Sequence, residues 1–539
     1  MAQQTALRDV EVTAANDTAI ALDLGAGSDY EALPKSAKGQ SAGGVVEDVV
    51  LRGAKTGLRA SVAQAVFKNV AIEGSTVNGL HIHSAAWSFV AMNLSVTGAP
   101  LGVQIDGTLP GAIQLLDCTL SGISTGIGIS TDGKTALMLQ NLRTDSSVTH
   151  VVDKTLKRSA SEVVGLWAQG EAYTNGKSTF GLFEGHRGVL PLPTLASAKA
   201  QAIPLACQSS PASGSSTLPH LCGGSASNPS TGAPYFPRPL FDDPQGVLNV
   251  LSAGAFGDGG HDDTKALQAA ITKSRTVVIP WGIYMISSTL ILRPDSRIVG
   301  EGYSILRMMP HSFGTNQPLL SVPPPADASI GVALADISLW NADCGNDNGL
   351  MMAWEGGPAS SVHDMNMLIS TTVAAKAIIL GPGGGYMSNT WWPATMSYQP
   401  AATQEGNLRR SLDLRREGEA AAILTPAGVD SLRTGFGFAA AGADGPLPCP
   451  PSLTEVGVLI GSTGPMWHIG TNLEHSSVLE VGLEAGSANH MFVGLQTEEA
   501  PIALYINGTK NAVVWGALLA FWNASQSSSA QVPVFMLLF

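Results

Sequence analysis

The sequence is poor in charge, in clustered cysteine and in long apolar runs, and each shortage excludes a class of protein. Only 13% of the 539 residues are charged, and the formal net charge is −13. An acidic chain of this kind is not expected to bind nucleic acid or an anionic membrane surface. No uninterrupted apolar run reaches about 18 residues, so no transmembrane helix is predicted. The five cysteines lack CxxC or CxxH spacing, which argues against a zinc site built on them.

Several local motifs are also missing. The chain has no GxGxxG loop, so a dinucleotide-binding site has no support. Its first residues, MAQQTALRDVEV, do not form a signal peptide. The stretch GDGGHDD lacks the spacing of a calcium-binding EF-hand, and we interpret it as a helix cap in which Asp262 or Asp263 begins TKALQAAIT. Cys207 and Cys222 either close a disulfide or remain free thiols.

The first third of the chain contains a repeated β pattern. Short apolar runs recur around one Asp or Asn, at steps of 21, 24, 24 and 24 residues, and these central residues are Asp48, Asn69, Asn93, Asp117 and Asn141. Gly-apolar-x-apolar segments follow most of them. A period of this length without an amphipathic helix predicts stacked coils of a right-handed parallel β-helix. Equivalent Asn side chains would then form a ladder.

The second half repeats the same design after an interruption. Residues 195–245 are rich in Ser, Pro, Gly and Ala, and later turns recur near Asp336, Asp364, Asn389, Asn489 and Asn511. We therefore predict an all-β, pectin-lyase-like fold of two tandem right-handed parallel β-helices. The first domain would cover 1–194, a linker 195–245, and the second domain 246–539 with a polar insertion at about 398–450.

Two glutamates 24 residues apart, Glu474 and Glu498, are the candidate catalytic pair. Because side chains alternate along a strand, Glu498 is predicted to face outward and Glu499 to belong to a turn. The interval equals the coil period, so the two glutamates should stack about 4.8 Å apart at the backbone. Repulsion between stacked carboxylates raises one pKa, as a general acid requires. The alternative is a solvated acidic ladder.

Alternation also assigns the neighbouring residues of these two coils. The residues predicted to point into the β-helix are Ile469, Thr471, Leu473, Val493, Leu495 and Thr497, and those predicted to point out are His468, Gly470, Asn472, Gly494 and Gln496. Sugar polymers bind on aromatic platforms, and tryptophans are frequent in the second half, where each either supplies such a platform or belongs to the core: Trp391, Trp392, Trp467, Trp515 and Trp522.

These coils resemble glycoside hydrolase family 55, the exo-β-1,3-glucanases. The segments GVLIGSTGPMWHIGTNLEHSSVLE, GLQTEEAP and VVWGALLAFWNASQ are similar to successive coils of that family, and GAPYFPRPLFDD is similar to its inter-domain segment. SAGGVVEDVVLRGAKTGL resembles its first domain, whereas AFGDGGHDDTKALQAAI is shared with the wider pectate-lyase-like superfamily. The resemblance implies two β-helices in one chain with an active cleft between them.

The resemblance also implies roles for individual residues. Glu498 would be the general acid of an inverting hydrolysis of β-1,3-glucan from a chain end, and Glu474 would organise the catalytic water. Gln64, with Ser88 or Ser84 one coil later, would help to hold that water. Further candidates for sugar binding are Trp391, Trp467 and Gln496. No metal or organic cofactor is implied, and we expect a monomer that acts outside the cell or in the cell wall.

The sequence departs from the family pattern at several cleft positions. After QTE the family has Thr-Pro and a tyrosine pair, where this chain has Glu499-Ala500-Pro501, and its usual Trp, His and Arg are replaced at His363, Asn366 and Leu368. A carbohydrate-binding β-helix without catalysis is therefore one alternative. A polysaccharide lyase is another, disfavoured by the few Lys and Arg in the cleft coils. The chain begins part-way into the family's first domain, so we expect the first β-helix to lack its N-terminal cap.

Overall fold

The structure is a computed structural model of the chain. It describes residues 5–24, 44–106, 112–129, 135–152, 156–157, 163–174, 177–187, 246–314, 316–341, 346, 349–369, 375–379, 381, 383–393, 456–474, 476, 479–500, 502–510, 512–523 and 528–538.

The first half of the described chain is one 15-stranded sheet that winds through successive coils. Most neighbouring strands are parallel, which is the pairing expected when each coil stacks on the one before. Its strands are β1 (Thr5–Thr13), β2 (Ile20–Leu24), β3 (Gly44–Arg52), β4 (Thr56–Glu73), β5 (Asn78–Met92), β6 (Ser95–Thr97), β7 (Leu101–Ile105), β8 (Ala112–Leu116), β9 (Thr119–Ser121), β10 (Thr125–Ile129), β11 (Leu137–Thr144), β12 (His150–Val152), β13 (Leu156–Lys157), β14 (Val163–Thr174) and β15 (Lys177–Arg187).

The repeated Asp and Asn residues mark the same bend in each coil. All five have φ between 53° and 57°, a left-handed conformation that Asn and Asp tolerate better than other residues with a side chain. The Nδ2 of Asn69 donates to Asp48 Oδ1 at 3.0 Å, and the Nδ2 of Asn93 donates to Asn69 Oδ1 at 2.9 Å. Asn141 Nδ2 donates to Asp117 Oδ1 at 2.9 Å. The predicted ladder is confirmed.

The Gly-apolar-x-apolar segments supply the interior of the first half. Leu58 is paired with Leu80, Leu80 with Val103, Val103 with Ile127, and Ile127 with Val152, one coil after another. All five side chains are fully buried. Stacking like on like removes a continuous apolar column from water, and this burial stabilises the coils collectively.

The second half contains one helix and two long sheets of 14 and 7 strands among its described residues. The helix is α1 (Thr264–Lys273), and a 3-10 turn covers Val250–Ala253. The strands are β16 (Val247–Asn249), β17 (Asp258–Asp262), β18 (Thr276–Ile279), β19 (Ile283–Ile286), β20 (Leu290–Ile291), β21 (Arg297–Met308), β22 (Pro318–Val322), β23 (Ala333–Asn341), β24 (Leu350–Trp354), β25 (Ser361–His363), β26 (Asn366–Ile369), β27 (Ala375–Ile379), β28 (Gly385–Pro393), β29 (Val456–Ile460), β30 (Met466–Glu474), β31 (Leu479–Leu483), β32 (His490–Val493), β33 (Gln496–Ala500), β34 (Ile502–Ile506), β35 (Val513–Asn523) and β36 (Ser528–Leu538).

The Asp-rich segment before α1 is a cap, as predicted. Asp263 occupies the N-cap position, but its carboxylate accepts from the backbone of Phe256 and Gly257 instead of from the helix. Asp262 Oδ1 accepts from Thr264 N at 3.0 Å and so satisfies one of the exposed amides of the first turn.

A glycine bend changes the side-chain alternation within β30. Gly470 has φ 59°, a left-handed bend at which the simple alternation of a straight strand does not hold. Before the bend, Ile469 faces the first half of the chain, and His468 is buried and stacked on Phe492 with ring centroids 4.3 Å apart. The inward prediction for Ile469 and the outward prediction for His468 are therefore wrong. Leu473, after the bend, lies in the core as predicted.

The next coil repeats this arrangement. Gly494 has φ 66°, so Val493, which was predicted to point inward, instead packs between the two halves, while Leu495 enters the core as predicted. A left-handed residue reverses the alternation because it turns the strand by one corner of the coil. Three other residues with φ of 54° bend the preceding coils at this position: Asp336, Asp364 and Asn389.

The two halves have separate cores and one shared apolar cluster. Among the described strands, none from residues 5–187 pairs with one from residues 247–538. The shared cluster, which we call the interface cluster, joins valines and methionines of the first half to aromatic and aliphatic residues of the second: Val45, Val66, Val90, Met92, Leu116, Met138, Tyr386, Trp467, Ile469, Met491 and Val493. The predicted pectin-lyase-like β-helix fold is confirmed. The limits predicted for the linker and the insertion at 398–450 lie outside the described residues.

Candidate active site

Glu474 and Glu498 occupy equivalent positions on successive coils. β30 and β33 are parallel, and their register pairs Asn472 with Gln496 and Glu474 with Glu498. The predicted one-coil stacking of the two backbones is therefore present. The Glu474 side chain is buried, with 4% exposed, although it faces out of the second β-helix. The Glu498 side chain lies outside the described residues.

A buried carboxylate that the sequence did not single out binds Ser476, close to the end of the strand that carries Glu474. Glu480 is fully buried, and its Oε1 accepts from Ser476 N at 2.8 Å while its Oε2 accepts from Ser476 Oγ at 2.6 Å. Ser476 is two residues beyond Glu474, so these bonds hold the end of the strand that carries it. The signal in the sequence was a serine four residues before a glutamate, a spacing at which the two residues can hydrogen-bond.

A ladder of register-paired residues, most of them polar, runs beside the two glutamates. Asn366 pairs with Trp391, Trp391 with Asn472, and Asn472 with Gln496 on consecutive coils. Asn472 and Gln496 are almost completely buried. The Oδ1 of Asn472 has no hydrogen-bond partner among the described residues, and a buried acceptor of this kind calls for a donor such as water or a sugar hydroxyl. The Trp391 side chain lies outside the described residues.

The candidate residues of the first half also stack. The register of β4 and β5 pairs Gln64 with Ser88 and Ser61 with Ser84, so Ser88 is the serine that follows Gln64 by one coil. The strand irregularities on either side of Val62 show that the backbone bends there. The side chains of Gln64, Ser84 and Ser88 lie outside the described residues.

Close contacts across the interface set the relative direction of β4 and β30. Lys68 Nζ lies 2.9 Å from Tyr386 Oη, and Tyr386 is the register partner of Trp467. Val66, two residues before Lys68, lies 3.9 Å from the position a Cβ would take on Gly470. β4 and β30 therefore run in opposite directions across the interface, so that lower residue numbers on β4 correspond to higher residue numbers on β30. Continuing from Val66 to Gln64 on β4 thus corresponds to continuing from Gly470 to Asn472 on β30.

A buried charged network joins the two halves beside the interface cluster. Lys68 Nζ donates to Glu47 Oε1 at 2.6 Å, and Tyr386 Oη donates to the same oxygen at 3.2 Å. Arg8 Nε donates to Glu47 Oε2 at 3.0 Å, and Arg8 also pairs with Asp364 of the second half. Burial opposes ionisation of Glu47, but Lys68 and Arg8 outweigh it and lower the pKa of Glu47 to about 2. Burial raises the pKa of Tyr386 to about 12.

Trp467, one of the predicted sugar-binding residues, is 1% exposed and belongs to the interface cluster. A ring enclosed on both faces by protein has no face open to a sugar. Trp392, another tryptophan considered as a sugar-binding platform, is fully buried in the core of the second half.

Comparison with known proteins points to carbohydrate-active β-helices. The chain is 22% identical over 310 residues to a glucan 1,3-β-glucosidase of Cochliobolus carbonum, which covers 53% of this chain and 35% of the relative. The chain resembles the glucan 1,3-β-glucosidases. This similarity confirms the resemblance drawn from the coil motifs. A shorter match, 38% identical over 86 residues, links 15% of the chain to 10% of a "Probable glucan endo-1,3-beta-glucosidase" of Arthroderma benhamiae.

The glucosidase similarity covers parts of longer proteins. The chain spans about a third of the length of the first of these curated relatives and a tenth of the second. Residues 247–328 match the family model "Rhamnogalacturonase A/epimerase, pectate lyase-like", which agrees with the shared opening motif of the second half. The structure of sacteLam55A from Streptomyces sp. SirexAA-E aligns over 99% of this chain and 91% of that one, with 8% identity and a TM-score of 0.35. Among the described residues, no helix is long and apolar enough to cross a membrane.

Proposed function

We propose that this chain carries the catalytic apparatus of a glycoside hydrolase that cleaves β-1,3-glucan. The observation that supports it best is the register of Glu474 and Glu498 on adjacent coils, in a chain that is similar over 310 residues to a glucan 1,3-β-glucosidase. Glycosidases need one carboxyl group to protonate the leaving oxygen and a second group to activate water or attack the sugar. Two carboxylates one rung apart meet that requirement.

Glu498 acts as the general acid and Glu474 orients the water. Adjacent rungs lie about 4.8 Å apart, whereas inverting enzymes hold their two carboxyl groups roughly 6.5–9.5 Å apart to admit water. The two side chains therefore diverge from their stacked backbones, and the water beside Glu474 needs further polar contacts. Gln64 and Ser88, on the facing β-helix, supply the missing contacts, and hydrolysis proceeds with inversion.

Substrate contacts come from the polar ladder beside the acid. The unpaired Oδ1 of Asn472 accepts from a sugar hydroxyl, with Gln496 and Trp391 on its neighbouring coils. A neutral glucan suits a chain with net charge −13, because it brings no like charge to the cleft. The enzyme attacks glucan from a chain end and works as a monomer outside the cell or in the cell wall.

The test is release of reducing sugar from laminarin by the wild type and by three variants. Glu498→Gln and Glu474→Gln should each lower kcat by at least about a hundredfold, since general acid–base groups contribute roughly 10²–10⁴-fold. Glu499→Gln, which alters the adjacent residue of the same strand, should leave activity close to that of the wild type. Laminarin binding without hydrolysis would favour a carbohydrate-binding protein, and unsaturated products absorbing in the ultraviolet would favour a lyase.

A further inference from the structure

Two histidines and an aspartate meet on the outer face of the first β-helix. His81 and His83 alternate with buried Leu80 and Ile82 on β5, so both imidazoles leave the coil on the same side. Ile82 pairs with Ile105 on the next coil, and Asp106 follows directly after it. Asp106 N continues the ladder by donating to Ile82 O at 3.0 Å. The fold therefore brings a His-x-His pair and a carboxylate from adjacent coils together.

The three side chains converge on one point. The Oδ2 of Asp106 lies 2.8 Å from Nε2 of His81 and 2.8 Å from Nδ1 of His83. All three atoms lie within 4.8 Å of one another, the only such set of His, Cys, Asp and Glu side chains among the described residues.

We propose that His81, His83 and Asp106 bind a divalent transition-metal ion, with Zn²⁺ as the fitting example. Imidazole nitrogen and carboxylate oxygen are ligands that Zn²⁺ prefers, at about 2.0–2.2 Å. Ligands of a tetrahedral ion at those distances lie about 3.3 Å apart. The distance from Asp106 Oδ2 to each histidine nitrogen would have to grow by only about half an ångström to admit the ion. The His83 side chain is 48% exposed, so protein packing does not enclose it.

The surroundings suit a cation. Arg59 is the register partner of His81 on the preceding coil, but its Nε donates to Asp23 Oδ1 at 3.0 Å, so its charge is already paired. Three protein ligands leave at least one coordination position open to water or another small donor. Because the ligands come from two coils, the ion links β5 to the turn after β7. All three ligands belong to the first β-helix, and the test of this site does not depend on glucan hydrolysis.

Titration of the metal-free full chain with ZnCl₂ tests this site. The wild type should bind one equivalent of Zn²⁺, and both His83→Gln and Asp106→Asn should bind it at least about tenfold more weakly. His261→Gln is the matched control, because His261 pairs with Asp258 through Nδ1 at 2.7 Å without a second histidine beside it. That variant should bind Zn²⁺ like the wild type.

Two further readouts separate this site from loose surface binding. Co²⁺ added to the wild type should give visible d–d absorption that His83→Gln and Asp106→Asn abolish and His261→Gln retains. Saturating Zn²⁺ should raise the unfolding temperature of the wild type and of His261→Gln but not of the two ligand variants. Equal Zn²⁺ affinity in the wild type and in Asp106→Asn, or no binding by the wild type, would overturn the proposal.

Discussion

Lys68 Nζ lies 2.6 Å from Glu47 Oε1 on the preceding coil and 2.9 Å from Tyr386 Oη in the other half of the chain. The ammonium is 1% exposed, so its charge is stabilised almost entirely by protein groups. Burying a charge in this way is tolerated only when its partners remain in place. This contact is therefore a sensitive probe of how the two β-helices meet.

Replacing Lys68 with Met should lower the free energy of unfolding by about 3–5 kcal/mol, since it leaves the Glu47 carboxylate buried with fewer partners. The urea midpoint measures this loss. Arg59→Gln is the control, because its pair with Asp23 is partly exposed and should contribute less than about 1 kcal/mol. Equal midpoints for the two variants would mean that Lys68 is not enclosed at this interface.

Stability should fall as the pH is lowered from 6.5 towards 4. Burial lowers the pKa of His490 to about 4, and burial together with His490 lowers the pKa of His468 well below 6.5. The unfolded chain then binds more protons than the folded one throughout this window, so acid favours unfolding. His490 alone should reduce the free energy of unfolding by about 2 kcal/mol between pH 7 and pH 5.

Urea midpoints at pH 7 and pH 5 check this dependence, with His490→Gln as the comparison. The variant should lose less stability between the two pH values than the wild type. Glu47 does not contribute to the loss of stability between pH 7 and pH 5. Its lowered pKa stabilises the fold above about pH 4.5, and this stabilisation is lost only as the pH falls towards 2. An identical pH response in the variant would show that His490 is not buried in its neutral form.

Glu480 should act on catalysis by positioning Glu474. In Glu480→Gln one of the two acceptors for Ser476 becomes an amide donor, so the turn beyond Glu474 loosens. We expect kcat on laminarin to fall about ten- to a hundredfold with KM little changed, because misplacement of catalytic groups by about 1 Å can reduce the rate about a hundredfold.

Ser476→Ala, which removes only the hydroxyl bond, should lower kcat in the same direction but by less. A parallel increase of KM in Glu480→Gln, or a loss of kcat that merely follows a loss of folded protein, would contradict the positioning role. The urea midpoint of each variant distinguishes the two cases.

Gly470→Ala should destabilise the chain by more than Gly508→Ala does. The two glycines have nearly the same φ, 59° and 58°, so both substitutions carry the left-handed penalty of about 1–2 kcal/mol. A Cβ on Gly470 would also lie 3.1 Å from Val45 Cγ2, whereas on Gly508 the nearest atom is 4.0 Å away. The difference between their urea midpoints therefore reports the contact between the halves, and equal midpoints would contradict it.

The local repeat of the fold was predictable because each coil uses the same bend. Asp48, Asn69, Asn93, Asp117 and Asn141 recur in the sequence at the coil period, and the structure gives each a left-handed φ and several a ladder hydrogen bond. The same period predicts that Glu474 and Glu498 lie one coil apart, and their register confirms it.

What the sequence did not predict depends on breaks in the repeat and on distance along the chain. The orientation of His468 was wrong because Gly470 reverses the alternation, and a glycine at a position otherwise held by Asn or Asp was the missed signal. Lys68 and Tyr386 are separated by 318 residues and belong to different repeats, so no period relates them. The contact between His81 and Asp106 was predictable from the coil period, because the two residues lie 25 residues apart on adjacent coils.

The central claim is that Glu498 protonates the leaving oxygen of a β-1,3-glucan. The most direct measurement is kcat on 2,4-dinitrophenyl β-glucoside, set beside kcat on laminarin, for the wild type and Glu498→Gln. If Glu498 is the acid, the variant should lose at least about a hundredfold on laminarin and much less on the activated substrate, whose leaving group needs no proton. An equal loss on both substrates, or full activity on laminarin, would contradict the account.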